Sequence, residues 1–252
     1  MRIVLIGAGR LATHLGKALI ANGHQVTAVY SRTMASALSL TDVIGGMATD
    51  SIAALPVEAD AFILSVKDSA LESLIPPLCE GREGQLLLHT AGSVPMSIFK
   101  NYARRYGVLY PLQTFSKERE VDFGEIPIFI EGSDPTIQAL AVTLSTHVRQ
   151  LSSEDRRLLH LAAVFASNFV NHCYALSADV LERCGLPFSV MLPLIDETAR
   201  KVHQLHPLQA QTGPAVRYDE NIISQQAALL SDLPLTQQLY QLLSQSIHKH
   251  NL

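Results

Sequence analysis

The first residues whose spacing suggests chemistry are glycines near the start of the chain. An apolar run typical of a buried strand, Ile3 to Ile6, leads directly into Gly7-Ala8-Gly9-Arg10-Leu11-Ala12 and then into a helical pattern. In a strand, turn and helix of this kind, the first glycine permits a tight turn and the second lets the backbone approach a pyrophosphate. The amides at the helix N-terminus favour the anion. We therefore expect Gly7, Ala8, Gly9, Arg10 and Leu11 to bind a dinucleotide, the alternative being a glycine turn without a ligand.

The end of the next apolar run carries groups suited to a further phosphate. Tyr30-Ser31-Arg32-Thr33 stands where an NAD-specific domain offers an acid to the adenosine ribose, and these four residues include no acid. A guanidinium pairs with phosphate through donors of fixed geometry. Ser31, Arg32 and Thr33 therefore predict a 2′-phosphate, and hence NADP(H) as the cofactor. In the alternative, Arg32 is a solvated side chain and Ser31 or Thr33 caps the following helix.

Polar groups also follow three later apolar runs. Val66, at the end of the run 61–66, is expected to line the cofactor, and Asp68 to cap a helix that begins at Ser69. The segments His89-Thr90-Ala91-Gly92-Ser93 and Tyr110-Pro111-Leu112-Gln113-Thr114 each come after a strand candidate. Their candidate substrate ligands are Thr90, Ser93, Tyr110 and Gln113. The alternatives are a helix cap for Ser93 and ordinary loop hydrogen bonds for Tyr110 and Gln113.

A stripe of polar residues recurs in the second half of the chain. His160, Val164, Asn168 and His172 follow one another at i, i+4 spacing, which places them on one face of an α-helix. An imidazole titrates near physiological pH and suits a general acid, so His160 or His172 would protonate a carbonyl or imine product while Asn168 holds the substrate. In the alternative, the histidines make contacts between domains or subunits.

Arg217 is a further candidate, in a segment that predicts a turn before a helix. Thr212-Gly213-Pro214-Ala215 precedes it and Asp219, a candidate helix cap, follows. A guanidinium binds a carboxylate through two parallel hydrogen bonds. Arg217 therefore either binds a substrate carboxylate or pairs with Asp219.

The spacing of the histidines and cysteines does not favour a metal site. His160 and His172 are about three helical turns apart, roughly 18 Å along an axis that rises about 1.5 Å per residue, so they would not share one ion. His203 and His206 have no acidic or cysteine partner close in sequence. Cys79, Cys173 and Cys184 are scattered and odd in number, which favours neither a disulfide framework nor a thiolate cluster. No metal is expected.

These side chains depend on a sheet and on helices to bring them together. The first half of the chain alternates short β-rich runs with helical patterns, which predicts an α/β fold with a doubly wound parallel sheet. Such a sheet binds ligands at the carboxyl ends of its strands. The expected strands are 3–6, 25–30, 61–66, 85–89, 108–110 and 126–130, and the expected helices among them include 11–21, 33–40 and 69–74.

The pattern changes near residue 150. Asp134 and Pro135 predict the cap and first residue of a helix that runs to about Arg149, and Ser152 to Glu154 offer a further cap. Beyond this point the pattern is helical and contains no convincing strand. We expect a nucleotide-binding domain over 1–150 and a helical domain for substrate binding and dimerisation over 151–252.

Composition narrows the class of protein. The chain has 252 residues, of which 48% are hydrophobic and 17% charged, with a formal net charge of -4. This excludes a disordered chain and gives no electrostatic footprint for nucleic acid or an anionic membrane. The absence of a signal peptide and of a long apolar run predicts a cytoplasmic protein. Low charge and an apolar helical region, with Leu158, Leu159, Phe165, Phe169 and Leu176, predict a homodimer formed through the residues after about 150.

Five segments together resemble a known family. They are GAGRLA at Gly7 to Ala12, HTAGS at His89 to Ser93, YPLQTFSK at Tyr110 to Lys117, HLAAVFASNFVNH at His160 to His172 and QTGPAVRYDE at Gln211 to Glu220. They resemble the two-domain Rossmann-like NADP oxidoreductases with a C-terminal helical domain of unknown function. More distantly, the chain is similar to pyrroline-5-carboxylate reductases, deazaflavin-dependent NADP reductases and the 3-hydroxyacid and 6-phosphogluconate dehydrogenases. The resemblance implies a Rossmann-type sheet, an all-helical domain like the C-terminal domain of 6-phosphogluconate dehydrogenase, and hydride transfer in a cleft.

One position departs from the hydroxyacid dehydrogenases. Those enzymes place Lys and Asn at i and i+4 on the first long helix between the domains, with the Lys as proton donor. Here Asn168 takes the Asn position, but Val164 stands at the Lys position and does not transfer a proton. The sequence therefore predicts an NADPH-dependent reductase of a small carbonyl or imine, with the proton supplied by His160 or water. The alternatives are a non-catalytic NADP(H)-binding sensor or regulatory protein and, less favoured by the glycine motif, a scaffold.

Overall fold

A computed structural model describes residues 1–116 and 118–250 of the chain. Lys117, the last residue of the segment that begins at Tyr110, lies outside the described residues. The structure contains an eight-stranded sheet in its described part, followed from residue 153 onward by helices. The expected fold class, a doubly wound sheet followed by an all-helical region, is confirmed.

The sheet has the strand order β3-β2-β1-β4-β5-β6-β7-β8. All neighbouring strands of this sheet are parallel except β6 and β7, so the expected parallel sheet contains one antiparallel pair. The chain order reverses between β3-β2-β1 and β4-β5-β6, which is the switch point where a sheet of this kind opens a crevice. The strands are β1 Arg2–Ile6, β2 Gln25–Tyr30, β3 Met47–Thr49, β4 Ala61–Leu64, β5 Leu86–His89, β6 Arg105–Pro111, β7 Ile128–Glu131 and β8 Val148–Gln150.

Helices cover both faces of the sheet. They are α1 Arg10–Ala21, α2 Met34–Ile44, α3 Asp68–Cys79 and α4 Pro135–Leu144. Alternate residues of β1 point to opposite faces, so Ile3 and Leu5 belong to one buried cluster and Val4 and Ile6 to the other. Burial on both faces explains why these strands form continuous apolar runs in the sequence.

The segment after Asp134 is shorter as a helix than expected. Asp134 accepts a hydrogen bond from the Thr136 amide and Pro135 is the first helical residue, as predicted. The helix ends at Leu144 and not near Arg149, because Ser145 takes an extended conformation and its hydroxyl donates to the Ile126 carbonyl at 2.6 Å. The residues that follow form β8 beside β7.

The helical region begins with α5 Ser153–Ala163, whose cap, Ser152, accepts from the Asp155 amide as predicted. A π-helix, Val164–Phe169, continues it. Next come α6 Val170–Glu182, α7 Leu192–Gln204, α8 Pro207–Ala210, α9 Pro214–Arg217, α10 Glu220–Ala228 and α11 Pro234–His250. None of the helices described is long and apolar enough to cross a membrane.

The chain forms two compact units, Met1–Asn168 and Phe169–Leu252. The first unit contains the sheet, α5 and most of the π-helix. In the second, α11 packs on α9 and α10, and the Tyr240 hydroxyl donates to the Gln226 side chain at 2.7 Å. Asp219 caps α10 as expected, accepting from the Ile222 amide. The functional division expected at residue 150 stays a prediction.

Candidate functional site

A cavity of about 920 Å³ opens at the carboxyl edge of the sheet in the first unit. Its wall is built from the residues that leave five strands: 7–11 after β1, 30–32 at the end of β2, 65–70 after β4, 90–92 after β5, and Tyr110 of β6. His160 of α5, Ser36 of α2 and Ser73 and Leu74 of α3 also line it. Parallel strands end at one edge, and this is why segments far apart in the sequence meet here.

The glycine turn has the geometry that a dinucleotide requires. Gly7 has φ +117°, and a Cβ there would lie 2.1 Å from the Ser65 carbonyl oxygen, so only glycine fits. A Cβ on Gly9 would meet no protein atom within 4 Å. Gly9 is the N-cap of α1, whose first turn contains no acid and whose first amides have no partner within the helix. The residues present therefore fit a pyrophosphate group.

One end of the cavity lies beyond β2. Ser31, Arg32 and Ser36 line it, together with Tyr30. Arg32 is exposed and forms no ion pair with any described carboxylate. Thr33 is not part of the lining. It stands at the N-cap position of α2, and its hydroxyl donates to Ser36 Oγ at 2.8 Å.

The residues after β4 differ from their expected roles. Val66 lines the cavity as expected, and so do Lys67 and Asp68. Asp68 does not cap α3: it is the first residue of that helix, and Lys67 stands at the N-cap. The Asp68 carboxylate instead accepts a hydrogen bond from the Ser93 hydroxyl. Ser93 does not line the cavity and caps no helix, because the short helix that follows it, Met96–Phe99, has Pro95 at its N-cap.

Tyr110 and His160 form a hydrogen-bonded pair in this cavity. Their Oη and Nδ1 atoms are 3.0 Å apart, and the two rings meet edge to face with centroids 6.1 Å apart. Gly92 makes room for the pair, because a Cβ at this position would lie 2.5 Å from His160 Nδ1 and 3.0 Å from Tyr110 Cζ. Within the segment 89–93, Gly92 therefore serves the site because it has no side chain. Thr90, also in the lining, is buried and donates to the Leu64 carbonyl.

A second cavity, of about 500 Å³, adjoins the first. The two share Arg10, Leu11, Tyr110 and His160 in their linings. The rest of the second lining comes from 112–115, after β6, and from 163–168, including Gln113 and Asn168. Gln113 Oε1 accepts from the Thr114 amide at 2.8 Å, which leaves its NH₂ group to donate to a ligand. Polar groups from two elements thus surround a volume suited to a small molecule.

The helix that carries His160 departs from the regular α-helical face predicted by the i, i+4 spacing. Residues 164–169 form a π-helix, in which the hydrogen bonds run from i to i+5 and each turn is wider. Val164 and Asn168 line the second cavity with His160. His172 belongs to the second compact unit, as does Arg217, the last residue of α9. The sequence spacing gave no sign of the π-helix.

Arg156 supports the site from within the fold, and no pattern in the sequence predicted this role. Its side chain is fully buried and donates to Glu131, to the Val94 carbonyl at 2.6 Å and to Ser153 Oγ at 3.2 Å. It thus joins the first turn of α5 to β7 and to the loop after β5. Arginine is almost never fully buried unless it is paired, and the Glu131 pairing comes from a distant part of the chain.

Burial also changes the acidity of two side chains close to this arginine. Burial, and then the positive charge of Arg156, lower the pKa of His89 to about 3, so this histidine is neutral at physiological pH. Its Nδ1 accepts from the Ala91 amide at 3.2 Å. Burial raises the pKa of Tyr110, an effect that Arg156 opposes and Asp68 supports. By itself, the Tyr110 phenol is therefore a weaker acid than an ordinary tyrosine.

The comparisons with known proteins agree with this architecture. The Rossmann-like domain matches residues 1–113, and the domain of unknown function DUF2520 matches residues 126–247. The crystal structure of a putative NADP oxidoreductase from Bacteroides fragilis is 53% identical, covers 98% of this chain and 98% of its own, and superposes with a TM-score of 0.94. A comparison with curated proteins finds no match.

More distant solved structures share the fold. An imine reductase from Streptomyces aurantiacus has 15% identity and a TM-score of 0.73, over 99% of this chain and 94% of its own. A reductive aminase from Aspergillus terreus, in complex with NADPH and ethyl levulinate, has 15% identity and a TM-score of 0.71, over 98% and 94%. The resemblance noted from the sequence is confirmed. The chain belongs to the family of proteins in which a Rossmann-like domain precedes the domain of unknown function DUF2520.

Proposed function

We propose that this protein is an NADP(H)-dependent oxidoreductase that reduces a small carbonyl or imine compound. The observation that carries the proposal is the junction of the two cavities: one has the features of a dinucleotide site, the other is small and polar at one end, and Tyr110 and His160 line both. The 53%-identical Bacteroides fragilis protein bears the name of an NADP oxidoreductase, and proteins of the same fold are named as imine reductases.

The cofactor would lie along the carboxyl edge of the sheet. The turn at Gly7 to Leu11 would hold the pyrophosphate, and Ser31 and Arg32 the adenosine 2′-phosphate. Val66 would pack against the cofactor, and the nicotinamide end would approach Thr90 and Tyr110. When bound, NADPH supplies a hydride.

The protein's own groups would position the acceptor and provide the proton. His160 would be the source of the proton for the oxygen or nitrogen that develops negative charge, and Asn168 would hold that atom by a hydrogen bond. Tyr110 and Gln113 would bind the same substrate from the strand side. Arg217 stays a proposed ligand for a substrate carboxylate.

The test begins with NADPH binding, followed by a screen of 2-oxo acids, ketones and cyclic imines for substrate-dependent NADPH oxidation. His160→Ala and Asn168→Ala should lower turnover by about 100-fold, with little change in NADPH affinity, because neither residue would contact the phosphates. His147→Ala is a matched control: His147 is exposed, belongs to the first unit and lines neither cavity. Equal losses in all three variants would contradict the assignment.

A second candidate function rests on Val164, which lines the substrate cavity where the resembling dehydrogenases have a lysine. A protein that kept the nucleotide site and lost catalysis would be an NADP(H)-binding sensor. Tight NADPH binding without oxidation by any compound of the screen would favour the sensor over the reductase.

A further inference from the structure

The Tyr110–His160 pair has features beyond those of two substrate ligands. The hydrogen bond joins Tyr110 Oη to His160 Nδ1 at 3.0 Å, which leaves Nε2 of the imidazole and a second hydrogen-bonding position on the phenol oxygen. Gly92 is packed against both rings so closely that no side chain fits there. The pair is therefore constrained by the backbone after β5, at the point where the two cavities join.

The charged and titratable groups around the pair come from several elements. Arg156 lies one helical turn before His160 on α5. Asp68, the first residue of α3, lines the first cavity with the pair. His89 of β5 is neutral because burial and Arg156 lower its pKa to about 3. Arg10 of α1 lines both cavities with the pair. Of these groups, His160 is the one that a hydrogen bond joins to Tyr110.

We propose, building on the proposed reductase function, that Tyr110 is the immediate proton donor to the substrate and that His160 is the proton reservoir that resupplies it. The carbonyl or imine carbon receives the hydride of NADPH, and the oxygen or nitrogen receives the Tyr110 Oη proton. The imidazolium Nδ1–H bond of His160 breaks at the same time, and its proton passes to Tyr110 Oη.

Because the two proton transfers occur together, no tyrosinate forms at Tyr110. After one turnover the phenol is neutral again, the imidazole is neutral, and the imidazole regains its proton from solvent. Since burial makes the Tyr110 phenol a weak acid, donation without resupply would be costly. A hydrogen bond already formed between the two groups removes that cost, and it explains how a proton can be delivered where Val164 replaces the usual lysine.

The hydrogen bond is tested first, without cofactor or substrate. In the neutral state that the proposal requires, His160 Nδ1 accepts a hydrogen bond from the Tyr110 hydroxyl, and the imidazole proton is on Nε2. ¹⁵N NMR of the protein should show this single tautomer, assigned by its loss in His160→Gln. In Tyr110→Phe the Nδ1 and Nε2 signals should shift toward those of a mixture of tautomers. Tyr102→Phe, at an exposed tyrosine outside both cavities, should leave them unchanged. An unchanged spectrum in Tyr110→Phe overturns the pair.

The relay itself is tested by comparing an acceptor that needs a proton with one that does not. Cyclopentanone must gain a proton on oxygen, whereas the N-methyl-1-pyrrolinium ion becomes a neutral amine on hydride transfer alone. Tyr110→Phe should slow the ketone reaction by about 100-fold or more and the iminium reaction by no more than about threefold. Equal losses with both acceptors overturn the donor role, because they indicate a purely positioning effect.

The reservoir role predicts a pH profile. Ketone reduction should depend on the protonated imidazole and should decline as pH rises, and His160→Gln should abolish this decline. A decline that persists in His160→Gln overturns the reservoir. The proposed function fails separately: if wild-type protein binds NADPH and reduces neither acceptor nor any compound of the screen, the reductase assignment falls, and the donor role with it.

Discussion

Arg32 places a permanent positive charge beside Ser31 and Ser36 at the end of the first cavity beyond β2. Hydrogen bonds between charged groups contribute about 1.5–3 kcal/mol. We therefore predict that NADPH binds about 10- to 100-fold more tightly than NADH, measured by fluorescence titration. Arg32→Asp should narrow or reverse the preference. Arg104→Asp makes the same change of charge at an exposed position outside the lining and should leave the preference intact. Equal dissociation constants for both cofactors in the wild-type protein would contradict this assignment.

His89 carries a consequence for stability. Its pKa is lowered from 6.5 to about 3 in the folded protein, so the unfolded chain binds one more proton between these values. Stability is therefore full above about pH 6.5 and is lost as pH falls, by up to about 1.4 kcal/mol per pH unit for this group. Urea denaturation at pH 7 and pH 5 measures the loss. His89→Asn, which retains an acceptor for the Ala91 amide, should show a smaller difference between the two pH values. An identical difference would rule out His89 as the cause.

At the scale of elements, α5 positions His160 and is itself held by Arg156. Three partners from three segments, Glu131, Val94 and Ser153, accept hydrogen bonds from this one guanidinium. His160 lies one turn of α-helix beyond this contact in the same element, so displacement of Arg156 would also displace His160. We therefore expect the stability of the protein and the position of His160 to be coupled through α5.

Removing the anchor should be costly. Arg156→Met leaves the Glu131 carboxylate without its partner, and the expected loss in the free energy of unfolding is about 3–5 kcal/mol. The double variant with Glu131→Gln should recover part of this loss, because no buried charge then remains. Lys17→Met, which breaks the exposed pair with Glu120, is the control and should cost less than about 1 kcal/mol. Similar losses at the two sites in thermal or urea unfolding would show that Arg156 is not an anchor.

Local signals in the sequence predicted much of this arrangement. The glycine turn, the caps at Asp134, Ser152 and Asp219, and the alternation of strands and helices follow from side chains that act within a few residues. The three-residue strands β3 and β8 are too short to show periodicity and depend on backbone pairing with β2 and β7. The antiparallel direction of β7 likewise depends on its neighbours in the sheet and not on its own residues.

The parts of the site that escaped prediction depend on contacts distant in sequence. Asp68 was expected to cap its own helix, yet its carboxylate accepts a hydrogen bond from the hydroxyl of Ser93, 25 residues away. The Tyr110–His160 pair spans 50 residues and requires the space at Gly92. The sequence predicts a role for Tyr110 and for His160 individually, but their pairing requires the folded sheet. The π-helix depends on packing that the i, i+4 pattern does not encode.

At the scale of the whole molecule, the helical region leaves large apolar side chains in solvent. Leu158, Leu194, Leu235 and Leu242 are each more than half exposed, whereas the second unit buries few apolar residues of its own. Large exposed apolar surfaces mark interaction sites. We infer that a second copy of this chain covers them, since closed symmetric dimers are the commonest soluble oligomers.

The homodimer is tested by light scattering across a range of concentrations. The wild-type protein should have twice the mass of one chain, and Leu194→Asp and Leu235→Asp should shift the equilibrium toward the monomer. Val57→Asp is a control at an exposed apolar residue of the first unit, and it should leave the mass unchanged. A monomer at all concentrations for the wild-type protein would overturn the inference.

The floor of the site is one continuous row of paired strand ends. Ile6 pairs with Leu64, Leu64 with His89 and His89 with Val108, and the Ser65 and Thr90 amides extend the ladder to the Ile6 and Leu64 carbonyls. Such a row deforms only as a unit, so this floor is stiff, and little ordering of these strand ends is needed when a ligand binds. In hydrogen–deuterium exchange, the Leu64 and His89 amides should be among the slowest in the protein. Adding NADPH should slow these amides only by the factor by which binding stabilises the whole fold, because the strand ends themselves need no further ordering.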